Sequence, residues 1–413
     1  MNTVSEIAYA AKAAKSDMNK LTTNQKNQIL CAMSKALLKN EGYILEQNKL
    51  DIEAAKKIGR TEALIDRLAL NQKRVQDMAQ GLADVAALQD PVGEIIHATK
   101  RPNGLLIAKK RVPMGVIGII YEARPNVTAD AVGLCIKTSN AVVLKGGSEA
   151  INSNIAVAKV LVEAGTAAGL PTGAIGLITD TTHAAVDTMM KLNGVIDVLI
   201  PRGGGRLIKA VVNNATIPVI ETGVGNCHIY VDESADFKMA AEIVINAKTT
   251  RPAVCNAAES LLVHKKIASK FLPMMFAEFA KKGVEVRGCE VCQKYGALAA
   301  TLEDYGTEFL DLIISAKVVF DIDEAIAHID QYGTGHSEAI ITNDYRNAQK
   351  FKDEVDAAAV YVNASTRYTD GFEFGFGAEI GISTQKLHAR GPMGLQELTT
   401  TKYVIDGDGQ IRI

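Results

Sequence analysis

The run Val116-Ile117-Gly118-Ile119-Ile120-Tyr121 carries no charged side chain and no alternation of polar with apolar residues. A strand with one wet face alternates. A strand apolar throughout is covered on both faces, which is the situation of a parallel strand flanked by helices. The same signal recurs outward from this run, at 141–144, 175–178, 195–200 and 217–220. Helical stretches separate the strands, at 129–138, from Glu149, at 184–192 and from Leu207. Strands and helices in strict alternation predict an α/β fold of the doubly wound class, whose ligands bind at the carboxyl ends of the strands. A second βα repeat over 228–365 predicts another domain of the same class.

Toward the N-terminus, residues 5–88 read as successive amphipathic helices rich in Ala, Leu, Lys and Gln. Ile29, Met33, Ala36 and Leu37 form an apolar stripe on which Cys31 is also expected, and Asn71 is the expected N-cap of a helix running to Ala87. Beyond Pro91, strand-like runs at 94–98 and 105–112 flank Arg101-Pro102-Asn103-Gly104, a hairpin turn. A similar ribbon is expected at the far end, where 401–405 and 410–413 surround Asp406-Gly407-Asp408-Gly409. Two such ribbons suggest an arm that pairs strands with another subunit.

The chain has 413 residues, 47% hydrophobic and 22% charged, with a net charge of -2. That size supports two or three domains, and that charge gives no basic footprint for nucleic acid or an anionic membrane. A small-molecule substrate is expected instead. No apolar run approaches the roughly 20 residues of a membrane span, and the opening Met1-Asn2-Thr3-Val4-Ser5-Glu6 lacks the features of a secretory signal. Six scattered cysteines make no disulfide framework, so the expected compartment is a reducing cytoplasm.

Chemistry concentrates in Arg251-Pro252-Ala253-Val254-Cys255-Asn256-Ala257-Ala258-Glu259, in the first helix-to-strand connection of the second domain. Small neighbours and a nearby arginine suit Cys255 to act as a nucleophile; the competing reading is a buried cysteine serving as a small hydrophobe. In the first domain, Asn126 precedes a helix, as a cap or as an amide donor to an oxyanion. Lys145-Gly146-Gly147-Ser148 could hold a phosphate or ribose, or be an ordinary turn. Arg202-Gly203-Gly204-Gly205-Arg206 would let a flat ligand approach the backbone, or be a flexible loop. G-x-G-x-x-G and the P-loop signature are absent. Cys289-Glu290-Val291-Cys292 is a single C-x-x-C with no partner motif, and the seven histidines show no metal-binding spacing, so no metal is expected. His228 and His336, near glycine-rich loops, are expected to satisfy local hydrogen bonds. Asp321-Ile322-Asp323-Glu324 reads as a helix start.

Taken together, Asn126, Lys145, Arg202-Gly203-Gly204, Glu221-Thr222-Gly223 and Cys255 resemble the aldehyde dehydrogenase superfamily. The stretches 112–127 and 251–256 resemble its acyl-phosphate-reducing branch, and the likeness spans essentially the whole chain. The resemblance implies two doubly wound domains with a β-hairpin oligomerisation arm. Residues 1–227 would be the cofactor-binding domain, with 93–112 belonging to the arm. Residues 228–365 would be the catalytic domain, and 366–413 a return segment with C-terminal oligomerisation strands. It further implies Cys255 as nucleophile, with Asn126 and the Cys255 backbone N–H as oxyanion hole. Lys145, with Gly146 and Ser148, would contact the cofactor ribose; Gly203 and Gly204 would lie beneath the nicotinamide, and Glu308 would hold the nicotinamide ribose. Arg124, Arg251 and Arg367 are the candidates for the substrate carboxylate.

Two departures matter. Aldehyde-oxidising relatives carry Glu-Leu-Gly-Gly with a water-activating glutamate, where this chain has Glu221-Thr222-Gly223-Val224, leaving Glu221 without an assigned role. NAD-preferring relatives place a glutamate three residues after the lysine; Ser148 stands there, which favours NADPH. The expected reaction is reduction of L-glutamyl 5-phosphate to glutamate 5-semialdehyde by a homo-oligomer, with possible transient contact with glutamate 5-kinase. The alternatives are an aldehyde dehydrogenase using water and a non-redox thiol acyltransferase or hydrolase.

Overall fold

The computed structural model describes residues 3–412, so Met1, Asn2 and Ile413 lie outside the description. The chain divides into two compact units between Glu221 and Thr222. The second unit comprises Thr222–Phe374 and Ile382–Pro392; the first comprises what precedes it, Gly375–Gly381 and the segment from Met393. The stretch after 365 therefore does not stay together: 366–374 and 382–392 belong to the second unit, 375–381 and the segment from Met393 to the first.

The first unit begins with five helices, α1 (Val4–Met18), α2 (Thr23–Lys39), α3 (Glu41–Lys57), α4 (Glu62–Leu68) and α5 (Gln72–Ala87). Asn71 caps α5 as the sequence predicts, its side chain accepting from Arg74 N. Ile29, Met33 and Leu37 are buried along α2. Cys31 is exposed, contrary to its expected place on that stripe. Two residues after Ile29 it points about 200° round the helix axis, away from the covered face.

Next comes the hairpin β1 (Ile95–Lys100) and β2 (Leu106–Pro113), closed by a turn in which Gly104 N bonds Arg101 O at 2.9 Å with Gly104 at φ +93°. The expected C-terminal ribbon does not form. The strand Thr399–Asp406 instead pairs antiparallel with β2, from Thr399 opposite Pro113 to Asp406 opposite Leu106. Residues 410–412 form no strand, and the fourth residue of that run, Ile413, lies outside the description. The free edge of β2 offers eight backbone partners, where the short tail offers three described residues; the longer ladder wins.

The α/β core follows as β3 (Val116–Tyr121), α6 (Asn126–Lys137), β4 (Ala141–Lys145), α7 (Ile151–Ala167), β5 (Ile175–Leu177), α8 (His183–Met190), β6 (Val198–Arg202) and α9 (Gly205–Asn214). The strands are parallel in the order β5-β4-β3-β6. All of β3 and β4 is buried. Val116, Ile120, Val143 and Leu199 pack with Ala8 and Ala11 of α1 and Met189 of α8. The strand expected at 195–200 starts at Val198, and the one expected at 217–220 is a single bridge, Val219 to Leu199.

The second unit runs β7 (Cys227–Val231), α10 (Phe237–Thr249), β8 (Ala258–His264), α11 (Lys265–Lys281), β9 (Glu285–Gly288), α12 (Glu290–Gln293), β10 (Leu298–Ala299), α13 (Leu302–Tyr305), β11 (Ile313–Val319), α14 (Ile322–Tyr332), β12 (Ser337–Ile341), α15 (Tyr345–Glu354) and β13 (Ala359–Val362). Seven parallel strands lie in the order β10-β9-β11-β8-β7-β12-β13. Strands β7, β8 and β12 are buried along their whole length, and Ile229, Leu261 and Ile314 pack against Phe271, Met275 and Phe279 of α11. Asp321 caps α14, as the sequence predicts. No described helix is long and apolar enough to cross a membrane.

Candidate active site

In the first unit, three neighbouring strands bring their carboxyl ends to one edge, and each carries a group singled out in the sequence. At the end of β4, Lys145 is buried and its Nζ donates to Gly146 O at 3.0 Å. Desolvation lowers its pKa, with Asp180 acting the other way. Gly146 is required where it stands, because a Cβ there would come within 2.2 Å of the Asn154 amide. Ser148 is exposed, and Arg60 pairs with the adjacent Glu149 at 3.0 Å.

Past β3, Asn126 is exposed in the first turn of α6 and is not its cap, a position taken by Pro125. Its Nδ2 donates to Asp130 at 2.9 Å. Desolvation pushes the Asp130 carboxyl up to about 6, against the pull of Asn126 and of the Arg202 charge. Arg124 lies in the same exposed turn. After β6 come Gly203 and Gly204. Glu122, which the sequence left without a role, reaches across from β3 to accept from Gly204 N at 3.0 Å. A Cβ on Gly203 would meet the Glu122 carboxyl carbon at 2.6 Å, so the glycine lets that carboxylate lie against the loop.

In the second unit the Cys255 loop connects α10 to the amino end of β8, the opposite end from the one that carries the groups of the first sheet. A turn is closed by Ala257 N to Val254 O at 3.1 Å. Asn256 clamps it: its buried Nδ2 donates to the carbonyls of Arg367 and Thr369 at 3.2 and 2.9 Å, and its own carbonyl accepts from Thr366 Oγ1 at 2.8 Å. Cys255 itself is half-buried, and Cys227 Sγ donates to its carbonyl. The segment 223–225 lies against this loop so closely that a Cβ on Gly225 would sit 1.5 Å from Cys255 O. Glu308 accepts from Gly225 N at 2.7 Å. The structure thus brings Glu308, Gly225 and Cys255 together, a convergence that only the Glu308 position had hinted at.

Arg367 is half-buried, and its Nε is buried with no hydrogen-bond partner among the described residues. Burial, then the charge of Arg251, lowers its pKa; Asp370 and the thiols of Cys255 and Cys227 oppose this. The Arg367 guanidinium thus interacts electrostatically with the sulfur and with a second guanidinium, Arg251, and carries an unsatisfied donor. Such an arrangement suits an anion.

Beneath the loop, Lys248 of α10 and Glu259 of β8 form a fully buried pair at 2.5 Å, and Glu259 also accepts from Leu310 N at 3.1 Å. Burial pushes Glu259 up to about 7 despite Lys248. Leu310 is held at φ +56°, a conformation costing a non-glycine residue about 1–3 kcal/mol. His228 and His336 are both buried. His228 N and Nδ1 contact Glu338 at 2.7 and 3.1 Å, and His336 Nδ1 contacts Ser337 Oγ at 2.8 Å. Among the described residues no group of three or more His, Cys, Asp or Glu side chains could hold a metal ion.

The aldehyde dehydrogenase family model matches residues 1–298 and 311–404. The chain is 61% identical over 414 residues to a gamma-glutamyl phosphate reductase of Carboxydothermus hydrogenoformans, covering 100% of both chains. It is 62% identical over 411 residues to one of Clostridium acetobutylicum, covering 99% of this chain and 98% of that one. Among solved structures, the gamma-glutamyl phosphate reductase of Thermotoga maritima superposes with a TM-score of 0.97 at 51% identity, again over 100% of both chains. With its cysteine loop, its glycine-lined strand ends and these full-length likenesses, the chain belongs to the aldehyde dehydrogenase family, within the group of gamma-glutamyl phosphate reductases.

Proposed function

We propose that the chain reduces L-glutamyl 5-phosphate to L-glutamate 5-semialdehyde and phosphate, using NADPH and a Cys255 thioester, as the second step of proline biosynthesis from glutamate in the cytoplasm. The observation that carries this reading is Arg367, whose charge interacts with the Cys255 thiol and with Arg251 and whose Nε is buried and unsatisfied. An acyl phosphate substrate brings both a carboxylate and a phosphate to such a site.

The first unit has features that fit a nicotinamide dinucleotide. Lys145 spends one hydrogen bond on Gly146 O, leaving ammonium donors for ribose hydroxyls, and Gly204, where an added Cβ would meet nothing nearer than 3.9 Å, leaves its backbone open to a ligand. Ser148 brings a hydroxyl where a carboxylate would repel a 2′-phosphate, and the neighbouring Glu149 carboxylate, which accepts from Ser148 Oγ at 3.4 Å, is paired with Arg60 at 3.0 Å; both favour NADPH over NADH. In the second unit, the assigned partner of the nicotinamide ribose is Glu308. When bound, the cofactor supplies a hydride.

The remaining steps belong to the chain. The Cys255 thiolate forms a bond to the acyl carbon, and the carbon–oxygen bond to phosphate breaks. Asn126 and the Cys255 amide are assigned to the oxyanion, each such donor contributing about 3 kcal/mol. Arg251 and Arg367, with Arg124 as the third candidate, hold the substrate anions. After reduction the carbon–sulfur bond breaks, returning the thiol. Glu221 has no step here, since a thioester awaiting reduction must be kept from activated water.

The arm is proposed to join subunits into a homo-oligomer, because Ile95, Tyr403 and Ile405 are each more than half exposed on it. Transient contact with glutamate 5-kinase would shorten the exposure of the labile acyl phosphate to water.

The test is the reverse reaction, oxidation of the semialdehyde with NADP, run with and without phosphate. Phosphate dependence that vanishes in a folded Cys255→Ala protein is expected. Turnover without phosphate would point to an aldehyde dehydrogenase using water, and turnover by the alanine variant would overturn the thioester.

A further inference from the structure

We infer that Cys289 and Cys292 form a second thiol site, a dithiol–disulfide pair that reacts with low-molecular-weight disulfides, Cys289 attacking and Cys292 resolving. This site is separate from the Cys255 chemistry and does not rest on it. Cys289 follows the carboxyl end of β9, whereas Cys255 precedes the amino end of β8 in the same parallel sheet.

Three observations carry the assignment. The two sulfurs stand 3.7 Å apart, with the C-x-x-C spacing setting Cys289 at the N-cap of α12 and Cys292 within it, so rotations about the side-chain bonds suffice to join them. Their exposures differ in the sense the roles require: Cys289 is half-buried and within reach of a small reagent, while Cys292 is fully buried among Val286, Ala297 and Ala316. Their surroundings differ too. Cys289 Sγ accepts from Val318 N at 3.4 Å. The hydrogen bond with Cys292, helped by the backbone amides of Val318, Cys292 and Val291 and opposed by burial, brings Cys289 down to about 5. The Cys292 thiol is raised, chiefly by its hydrogen bond with Cys289 and then by burial.

The roles follow in order. The Cys289 thiolate attacks a disulfide RSSR, forming Cys289–S–SR and releasing RS⁻. That step removes the negative sulfur to which Cys292 was donating, and with it the main cause that held the second thiol protonated. Cys292 then loses its proton to RS⁻ or water, and its thiolate attacks the Cys289 sulfur and expels the second RS⁻. The sum is protein dithiol plus RSSR giving protein disulfide plus two RSH, with two electrons passing from the pair to the reagent. The attacking sulfur has its thiolate already formed and the leaving thiol has an ordinary pKa, the condition in which exchange proceeds at neutral pH.

The experiment uses the full chain carrying Cys255→Ser, so that the proposed nucleophile contributes nothing, with oxidised glutathione as the probe. Peptide mass mapping of the treated protein is expected to show Cys289 and Cys292 each lost to alkylation and joined to one another. Adding Cys292→Ala should leave Cys289 as a stable mixed disulfide with glutathione; adding Cys289→Ala should leave Cys292 a thiol. Alkylation of Cys289 in the reduced protein should be nearly independent of pH between about 6 and 8, where an ordinary small thiol speeds up about tenfold per unit. The exposed Cys31 reports that the reagent is active. The inference is overturned if Cys31 takes up glutathione while both cysteines stay reduced, if Cys292 is modified without Cys289, or if the Cys289 rate climbs with pH like the small thiol. None of these results bears on the Cys255 thioester.

Discussion

Replacing Gly225 with alanine should disable the Cys255 loop while leaving the fold largely intact. The added methyl carbon would lie 1.5 Å from Cys255 O and 2.7 Å from Cys255 Cα. An ordinary contact needs roughly 3.4 Å, so segment 223–225 and the cysteine loop must part by about 1.5–2 Å. Neither backbone can yield alone. Gly225 N is bonded to Glu308 at 2.7 Å and Gly223 N to Ile382 O at 2.8 Å, while the other loop is fastened by Asn256 to Arg367 and Thr369. A misplacement of about 1 Å at a reacting group already costs about 10²-fold, so kcat/KM of the phosphate-dependent reverse reaction should fall by at least about 10²-fold. Loss of stability should be smaller, about 1–3 kcal/mol, as for other overpacked sites. Alkylation of Cys255, located by peptide mapping and measured beside urea unfolding, separates local displacement from unfolding. A variant with activity within about threefold of the parent would refute the argument that this contact sets the loop.

Lys248→Met leaves Glu259 buried without its cation and should destabilise the protein by about 3–5 kcal/mol near pH 8. Glu259 is raised by burial in the folded state, and losing Lys248 raises it further; a raised carboxyl favours folding at low pH and loses that contribution as pH rises, so urea unfolding of the variant should show a smaller deficit near pH 5. Arg367→Met should lower kcat/KM roughly 10²-fold with unfolding midpoints little changed, and an unchanged kcat/KM would remove Arg367 from the anion site. Ser148→Glu should raise the KM for NADPH about tenfold with little change for NADH, and equal effects on the two would end its role in selection. Burial brings His336 down from 6.5 to about 4. The unfolded chain therefore binds the extra proton first, and unfolding free energy should drop by about 3 kcal/mol as pH falls from about 6.5 to 4, more steeply than in a His336→Asn variant.

The parallel sheets were legible because burial on both faces leaves a mark in each strand by itself: β3 and β4 need no distant residue to be recognised. Partnership between distant segments leaves no such mark. Nothing within residues 399–406 says that they will lie along β2 rather than along their own tail, and that choice is settled by the length of the ladder each offers. Gly225 is likewise an unremarked glycine until the Cys255 carbonyl is beside it. Glu259 stood inside the motif that drew attention to Cys255, yet its partner Lys248 lies in an Ala- and Ile-rich helix where the sequence gives no reason to expect a buried cation. Cys31 failed for a simpler reason: a stripe was drawn by proximity in sequence, and the helical period turned that residue away from it.

The groups singled out in the first unit stand at strand carboxyl ends, whereas Cys255 comes before the amino end of β8. That placement has an electrostatic consequence. The loop leaves the C-terminal end of α10, where the helix dipole is negative and opposes a thiolate. Among the described residues no helix N-terminus leads into the sulfur's loop to offset this, and the guanidinium that interacts with the thiol is that of Arg367. Under the proposed reaction, Arg367 is also a group that a substrate carboxylate or phosphate would claim. On that reading Arg367 would serve the nucleophile before substrate arrives and the substrate afterwards, a double use that fits a guanidinium held half-buried with a donor unsatisfied while Arg251 stays in solvent.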